Sequence, residues 1–188
     1  MVCYKKHNSY ERTCIIDETN IEYNIKLQDL NWLPNKNINK ILNLISNNND
    51  LNLDVIMNSS YHATRAYVSD NKDDTYIYPL IHSTPKTGIR YKYSTCNNKG
   101  HFGQSKIIFG EAGLNEVVID FNGEYGMTQG AIAIKISNIN EGQHIKTSLL
   151  SVQFKEILDS CNWGNFRIDW RLFKFFKLLN SKNFWKEI

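Results

Sequence analysis

The sequence predicts an α+β fold with a β-rich centre, a strand and helix segment before it, and helices after it. Short runs of alternating polar and apolar residues occur near the start of the chain and again through its middle. Apolar residues recur at helical spacing in one segment before residue 50 and in another after residue 137. Because these two kinds of pattern stand in separate blocks, they favour α+β over an alternating β-α order.

The first block predicts two strands and a helix. Residues 12–17 and 21–27 alternate around the turn "ETN" and predict two short strands. A helix is predicted next, with Asn35 or Asn37 as its N-cap, from the spacing of Ile38, Ile41, Leu42 and Ile45. The segment "LDVIMNSS" predicts a further strand.

The central block predicts strands. "TYIYPLIHST" and "GIRYKYST" predict two strands joined by the turn "PKTG", and Pro79 inside the first predicts an edge position or a bulge. "KIIFG" predicts an apolar strand. The run "EVVIDFNGEYGMTQGAIAIKI" predicts a hairpin around Asn122 and Gly123, a pair that accepts positive φ angles.

The last block predicts helices. Ile145, Leu149, Val152 and Leu158 follow a helical spacing, and Ser151 is suited to cap a second helical piece. A final aromatic-rich helix is predicted to begin after Asp169. The predicted division is an N-terminal strand and helix extension in residues 1–58 and the main domain in residues 59–188.

Composition excludes several classes of protein. The chain has 188 residues, 41% of them hydrophobic, with a net charge of +3, which excludes a disordered polycationic tail. The four cysteines are scattered without a Cys-x-x-Cys pair, which argues against a zinc ribbon or a disulfide framework.

Neither a P-loop nor a complete dinucleotide-binding glycine motif is present, so no cofactor is expected. We expect a soluble cytoplasmic protein without a membrane partner, because no signal peptide or long apolar run is seen.

One stretch collects a single sign of charge. Between Asp74 and Glu111 there is no acidic residue. The same interval contains the cations Lys86, Arg90, Lys92, Lys99 and Lys106. If "GIRYKYS" is a strand, its cations lie on one face, where they could bind an extended anion such as a nucleic-acid backbone. The alternative is an edge strand that carries lysines to prevent aggregation.

The C-terminal segment offers a second group of cations. In "NFRIDWRLFKFFK", Arg167, Arg171 and Lys174 would form a basic stripe on a helix, beside aromatic residues. Such a stripe suits contact with a nucleic-acid backbone, and it equally suits a helix that closes the core with a solvated basic face.

A metal-dependent nuclease is the main catalytic alternative. It would use acidic groups converging on Mg²⁺ and a lysine near the attacked phosphate, here Glu111, Asp120, Glu124 and Lys135. The usual acid two positions before the lysine is missing, so solvated or structural roles are the competing interpretation.

The histidines give weaker indications. His82 and His101 could form part of a metal shell with Cys96, but their spacing matches no standard site, and no metal is predicted. His62 lies beside Ser59, Ser60 and Thr64 without an accompanying acid, which leaves a nucleophile and base pair poorly supported.

From about Tyr61 to Trp185 the order of segments resembles one family. The matching segments are "YPLIHSTPKTGIRYKYS", "GHFGQSKIIFGEAG", "GEYGMTQGAIAIKI" and "LLSVQFKEILDSCNWGNFRIDWRLF". Together they resemble the C-terminal target-recognition region of adenine-specific DNA methyltransferases and fused restriction-modification enzymes of the TaqI and Eco57I type. The resemblance implies a β-rich module that docks on duplex DNA, with catalysis in a separate S-adenosylmethionine-binding domain whose signatures this sequence lacks.

The leading hypothesis is therefore a non-catalytic DNA-binding module, whose partners would be double-stranded DNA and a separate DNA methyltransferase or endonuclease subunit. Phosphate contacts are predicted for Arg65, Arg90, Lys92, Lys99, Lys106, Arg167 and Arg171. Base-edge contacts are predicted for the polar residues Ser83, Thr84, Lys86, Thr87, His101, Gln104 and Gln129. A further alternative is a protein-interaction subunit that docks through its aromatic C-terminus, namely Phe173, Phe175, Phe176, Phe184 and Trp185.

Overall fold

A computed structural model describes residues 12–45, 52–162, 164 and 167–176, and within them the fold is α+β. The strands are β1 (Thr13–Ile16), β2 (Glu22–Ile25), β3 (Val55–Ile56), β4 (Val68–Ser69), β5 (Tyr78–Ser83), β6 (Arg90–Ser94), β7 (Lys106–Gly110), β8 (Val117–Asp120), β9 (Gly126–Met127) and β10 (Ala131–Lys135). The helices are α1 (Ile38–Leu44), α2 (Ile139–Leu150), α3 (Val152–Ser160) and α4 (Trp170–Phe175), and a short 3₁₀ helix spans Leu27–Asp29.

The first sheet has the strand order β3-β10-β7-β8, with every neighbouring pair antiparallel. Its strands are apolar on both faces because both faces are covered. Ile107 and Phe109 of β7 pack into a cluster with the helices, and Ile108 between them packs with residues of the second sheet. Helix α2 lies close to this sheet at Gly142, where an added Cβ would be 2.9 Å from the Ile136 side chain.

Helix α1 and strand β3 belong to the same packed body as the first sheet. Ile41 and Leu44 of α1 share a hydrophobic cluster with Phe154 of α3 and Phe173 of α4. Strand β3 pairs with β10. The boundary predicted at residue 58 therefore falls just after a strand of the first sheet, and residues 38–45 and 52–56 pack with the remainder of the described chain.

The second sheet has the order β4-β6-β5-β9, in which β5 and β9 are parallel. Ile81 and Met127 face the first sheet and pack in one cluster with Ile108. The pairing of β5 with β6 shifts register between Ile81 and Ser83, so this strand contains an irregularity, as one of the two predicted alternatives requires. Pro79 itself pairs in register with Tyr93. The edge position is wrong, because β5 lies between β6 and β9.

The predicted hairpin in residues 116–136 is also wrong. Strands β8 and β10 do not pair with each other, since β7 lies between them and pairs with both. The chain between them instead crosses to the second sheet, where β9 adds to β5. The turn itself is present, because Gly123 has a φ of 70° and its N–H donates to the Asp120 carbonyl at 3.4 Å.

Local capping agrees with the sequence at two helices. The Ser151 hydroxyl accepts a hydrogen bond from the Phe154 N–H at the start of α3, and the Asp169 carboxylate accepts one from the Arg171 N–H at the start of α4. These contacts satisfy N–H groups that have no partner within the helix. Among the described helices, none has the length and apolar character that a membrane crossing requires.

Candidate nucleic-acid interface

Strand β6 carries its cations away from the first sheet. Ile89, just before the strand, packs against the cluster between the two sheets, and Tyr91 packs against Tyr125 with ring centroids 6.0 Å apart. Because side chains alternate along a strand, Arg90 and Lys92 lie on the opposite, outer face. The prediction that Arg90 and Lys92 lie on the same face of this strand is therefore confirmed. We call the outer surface formed by His82, Arg90 and Lys92 the cationic face.

His82 anchors this face from the neighbouring strand β5. Its ring is half-buried, and its Nδ1 lies 2.7 Å from the Thr128 hydroxyl. Burial lowers the pKa of His82, the positive charges of Lys92 and Arg90 lower it further, and the negative charge of Asp70 partly offsets them. The charges of Lys92, Arg90 and Asp70 therefore all lie close enough to the His82 ring to change its pKa.

Lys92 has an acidic partner from outside the acid-free interval. Its ammonium pairs with the carboxylate of Asp70, which follows the short edge strand β4. The Lys92 side chain is only 15% exposed, whereas that of Asp70 is 77% exposed. The hydrogen bond and charge of Lys92 lower the pKa of Asp70. The charge of Lys92, for which a phosphate contact is predicted, is therefore compensated by an acid of the same chain.

Four predicted contacts remain exposed: Arg65, Lys86, Arg90 and Lys99. None of these forms an ion pair with any part of the chain that the structure describes. Lys86 lies in the turn before β6, while Lys99 lies beyond its other end, with Nζ 4.8 Å from the centre of the Tyr67 ring. Because a strand rises about 3.4 Å per residue, β6 is about 14 Å long, and Lys86 and Lys99 lie beyond its two ends.

Lys106 is excluded from this surface, which corrects its predicted role. It lies on the face of β7 that meets the second sheet, and its Nζ donates to Asp120 Oδ2 at 2.5 Å and to the Gln104 carbonyl at 3.1 Å. The two charged side chains are 0% and 1% exposed. Burial lowers the pKa of Lys106, and the contact with Asp120 opposes that shift. A phosphate cannot reach this ammonium in the folded chain.

Two predicted base-reading residues are also buried. His101 lies with its Nε2 2.8 Å from the Asn58 side-chain oxygen, and its Nδ1 accepts the Met127 N–H at 3.1 Å. Burial lowers the pKa of His101 to about 4, with a further contribution from the charge of Lys106, so the ring is neutral at pH 7. Thr84 is 2% exposed, and its hydroxyl accepts the Gly110 N–H at 2.9 Å. Neither side chain can contact a base edge.

The other predicted base-reading residues stay nearer the surface. Lys86 and Thr87 are exposed in the β5–β6 turn, and Ser83 is half-buried at the end of β5. The Gln129 side-chain oxygen accepts the Ala63 N–H at 2.9 Å, which ties the loop after β9 to the loop before β4. Gln104 donates from its amide to the Gly100 carbonyl.

Arg167 and Arg171 belong to the helical layer, and the predicted stripe is not formed. Helix α4 begins at Trp170, so Arg167 precedes it. Arg167 Nη1 lies 2.8 Å from Glu111 Oε1, and Arg171 Nη2 lies 2.5 Å from Asp169 Oδ2. Both arginines line a cavity of about 410 Å³. Their charges are thus already compensated by carboxylates.

The nuclease residues are not brought together. Asp120 is paired with Lys106 and accepts the Glu124 N–H at 2.7 Å, so its carboxylate is held inside the fold. Lys135 Nζ instead lies 2.7 Å from Asp54 Oδ2, and Glu111 pairs with an arginine. In residues 12–45, 52–162, 164 and 167–176, no three His, Cys, Asp or Glu side chains are grouped so that they could hold a metal ion. The predicted nuclease centre is therefore not assembled.

The aromatic C-terminus is largely part of the core. Phe173 and Phe176 are 0% exposed, and Phe175 packs against Trp32 with ring centroids 6.2 Å apart. They are not available for docking on another chain, which corrects that hypothesis. Phe184 and Trp185 lie outside the described residues.

Sequence reasoning missed two participants in the cationic face. Asp70 lies four residues before Asp74, where the acid-free interval begins, and only its position after β4 brings it to Lys92. Thr128 reaches His82 because β9 runs parallel to β5. Two-residue strands give almost no periodic signal, so the sequence held little indication of either contact.

No protein-family model matches this chain, and no curated protein or solved structure matches it. The resemblance to target-recognition regions therefore stays a prediction.

Proposed function

We propose that this chain is a non-catalytic DNA-binding module that contacts the phosphate backbone through the second sheet. The observation that supports the proposal is the set of four exposed cations, Arg65, Lys86, Arg90 and Lys99, without an ion-pair partner among the described residues. Lys86, Arg90 and Lys99 lie before, on and after β6, and Arg65 lies in the loop before β4. Cations spaced in this way match a ligand whose charges are spread along a line. Duplex DNA carries one negative charge for about every 1.7 Å of its axis.

Different residues would serve positioning and readout. Arg90 and Lys86 would bind phosphates, because both extend from the β5–β6 region into solvent. Thr87 in the turn and Gln129 after β9 would contact base edges, since they are polar groups on loops at the margin of the same sheet. The proposal includes a cytoplasmic location and a separate methyltransferase or endonuclease subunit as partner.

The proposal is tested by measuring binding to random duplex DNA across a range of salt concentrations. We expect salt-dependent binding that weakens in the double variant Lys86→Ala and Arg90→Ala. Because two phosphate contacts are removed, the slope of log affinity against log salt should fall by about two.

Lys155→Ala provides the matched control, since it removes a charge from an exposed position on α3 in the helical layer. It should leave both affinity and slope unchanged. Absence of salt-dependent binding, or an equal loss in Lys155→Ala, would contradict the proposal.

A further inference from the structure

We infer that Asp70 occupies the position of a DNA phosphate on Lys92, so that the bound backbone replaces this carboxylate. The inference rests on the proposed function and adds a regulatory element to the same surface. Free protein would hold Lys92 in an internal ion pair, and DNA would have to compete with that pair.

The geometry places Asp70 where an incoming anion would bind. Lys92 lies on the outer face between the ends of β6, and its side chain is 15% exposed. The carboxylate that covers it is 77% exposed. An approaching phosphate therefore meets Asp70 before it meets Lys92. Arg90, two residues away on the same face, would reach the same backbone.

The Asp70 side chain can move away from Lys92 while the hydrogen bonds that form the turn of its loop stay intact. Asp73 holds the turn, since its carboxylate accepts the N–H groups of Thr75 at 2.7 Å and Tyr76 at 2.8 Å. The Asn71 N–H donates to the Ser69 hydroxyl at 3.1 Å. Release of Lys92 breaks neither contact, so Asp70 can swing away by side-chain rotation alone.

Exchange of one anion for another has two consequences for binding. The first is that Lys92 contributes less to affinity than an unpaired lysine does, because its charge is already compensated before DNA arrives. The second is that the displaced carboxylate remains beside the DNA backbone and repels it. Asp70 should therefore weaken binding, and its removal should strengthen it.

The experiment compares duplex-DNA binding by wild-type protein, Asp70→Asn, Lys92→Met and the double variant at low and moderate salt. We expect Asp70→Asn to raise affinity about three- to tenfold at low salt, as the loss of a nearby like charge does at charged interfaces. Lys92→Met should cost little in the wild-type background and clearly more in the Asp70→Asn background. Asp74→Asn, the same charge change at another exposed position of this loop, is the matched control and should raise affinity less.

A second measurement follows the ion pair without DNA. The pKa of His82, followed by NMR, should fall further in Asp70→Asn and rise in Lys92→Met, because these charges act on the ring in opposite directions. An unchanged pKa of His82 in both variants would mean that Lys92 and Asp70 do not lie together beside the ring. That result would overturn the inference while leaving DNA binding intact.

The remaining outcomes separate the two proposals. If the His82 pKa shifts as expected but no variant binds duplex DNA in a salt-dependent manner, the proposed function fails and the inference fails with it. If DNA binds but Asp70→Asn has no higher affinity than Asp74→Asn, the inference alone is overturned.

Discussion

Two of the lysine–aspartate pairs, one on each sheet, have different surroundings. Lys106 and Asp120 pair across β7 and β8 with side chains 0% and 1% exposed. Lys92 and Asp70 pair on the outer face of the second sheet, with side chains 15% and 77% exposed. The chemical groups are identical, but water reaches only one of the pairs.

Burial decides what each pair can do. The inner carboxylate accepts further hydrogen bonds from the N–H groups of Glu124 at 2.7 Å and Tyr125 at 3.1 Å, and the inner ammonium also donates to a backbone carbonyl. A buried pair with all of these contacts is fixed in the fold, because separating the charges would leave each of them desolvated. The outer pair is separated at little cost, since water and salt replace the partner.

The largest expected effect comes from breaking the inner pair. Lys106→Met leaves the Asp120 carboxylate buried without a counter-charge, and we expect it to lower the free energy of unfolding by roughly 3–5 kcal/mol. Denaturant unfolding at pH 7 measures this loss. The double variant Lys106→Met with Asp120→Asn should recover part of it, because no uncompensated charge then remains inside. A loss similar to that of an exposed lysine would show that the pair is solvated.

The next largest effect is a dependence of the free energy of unfolding on pH, caused by His101, which lies near Lys106. His101 has a pKa of about 4 in the fold, below its ordinary value of 6.5. Between these pH values the unfolded chain binds a proton that the folded chain does not, so stability is fully present above pH 6.5 and falls as the pH approaches 4. The difference corresponds to about 3 kcal/mol.

NMR titration of the His101 ring checks the midpoint directly, and denaturant unfolding at several pH values checks the loss of stability. In His101→Gln the loss between pH 6.5 and 4 should be smaller than in the wild-type protein. A midpoint near 6.5 would mean that the ring is exposed and would contradict the buried environment.

The fold class and most single elements could be predicted from sequence because periodicity is a local property. The alternation in "RYKYS" placed Arg90 and Lys92 on one face, and helical spacing with Ser151 as cap predicted α3. What the sequence did not contain was the pairing of distant strands. The predicted β8–β10 hairpin failed because β7 inserts between two segments that are closer to each other in sequence.

The same limit explains which interface residues were wrong. Lys106 and Lys92 look alike in sequence, each a cation in an acid-free interval. Lys106 meets Asp120 through the register of β7 and β8, and Lys92 meets Asp70 through the pairing of β4 with β6. A count of charges along the chain cannot show which acidic residues strand pairing brings next to a lysine. The sequence therefore predicted more free cations in this interval than the structure has.

The smallest expected effect is that of the outer pair on stability. Lys92→Met keeps an unbranched side chain of similar length opposite Leu80 in the sheet register and removes only the charge. Because water reaches the pair, we expect its denaturation midpoint to shift several-fold less than that of Lys106→Met. Added salt should abolish the remaining shift for Lys92→Met and leave that of Lys106→Met nearly unchanged, since screening acts on exposed charges. Equal shifts for both variants in high salt would mean that Lys92 is held as firmly as Lys106, and Asp70 could then not give way to a phosphate.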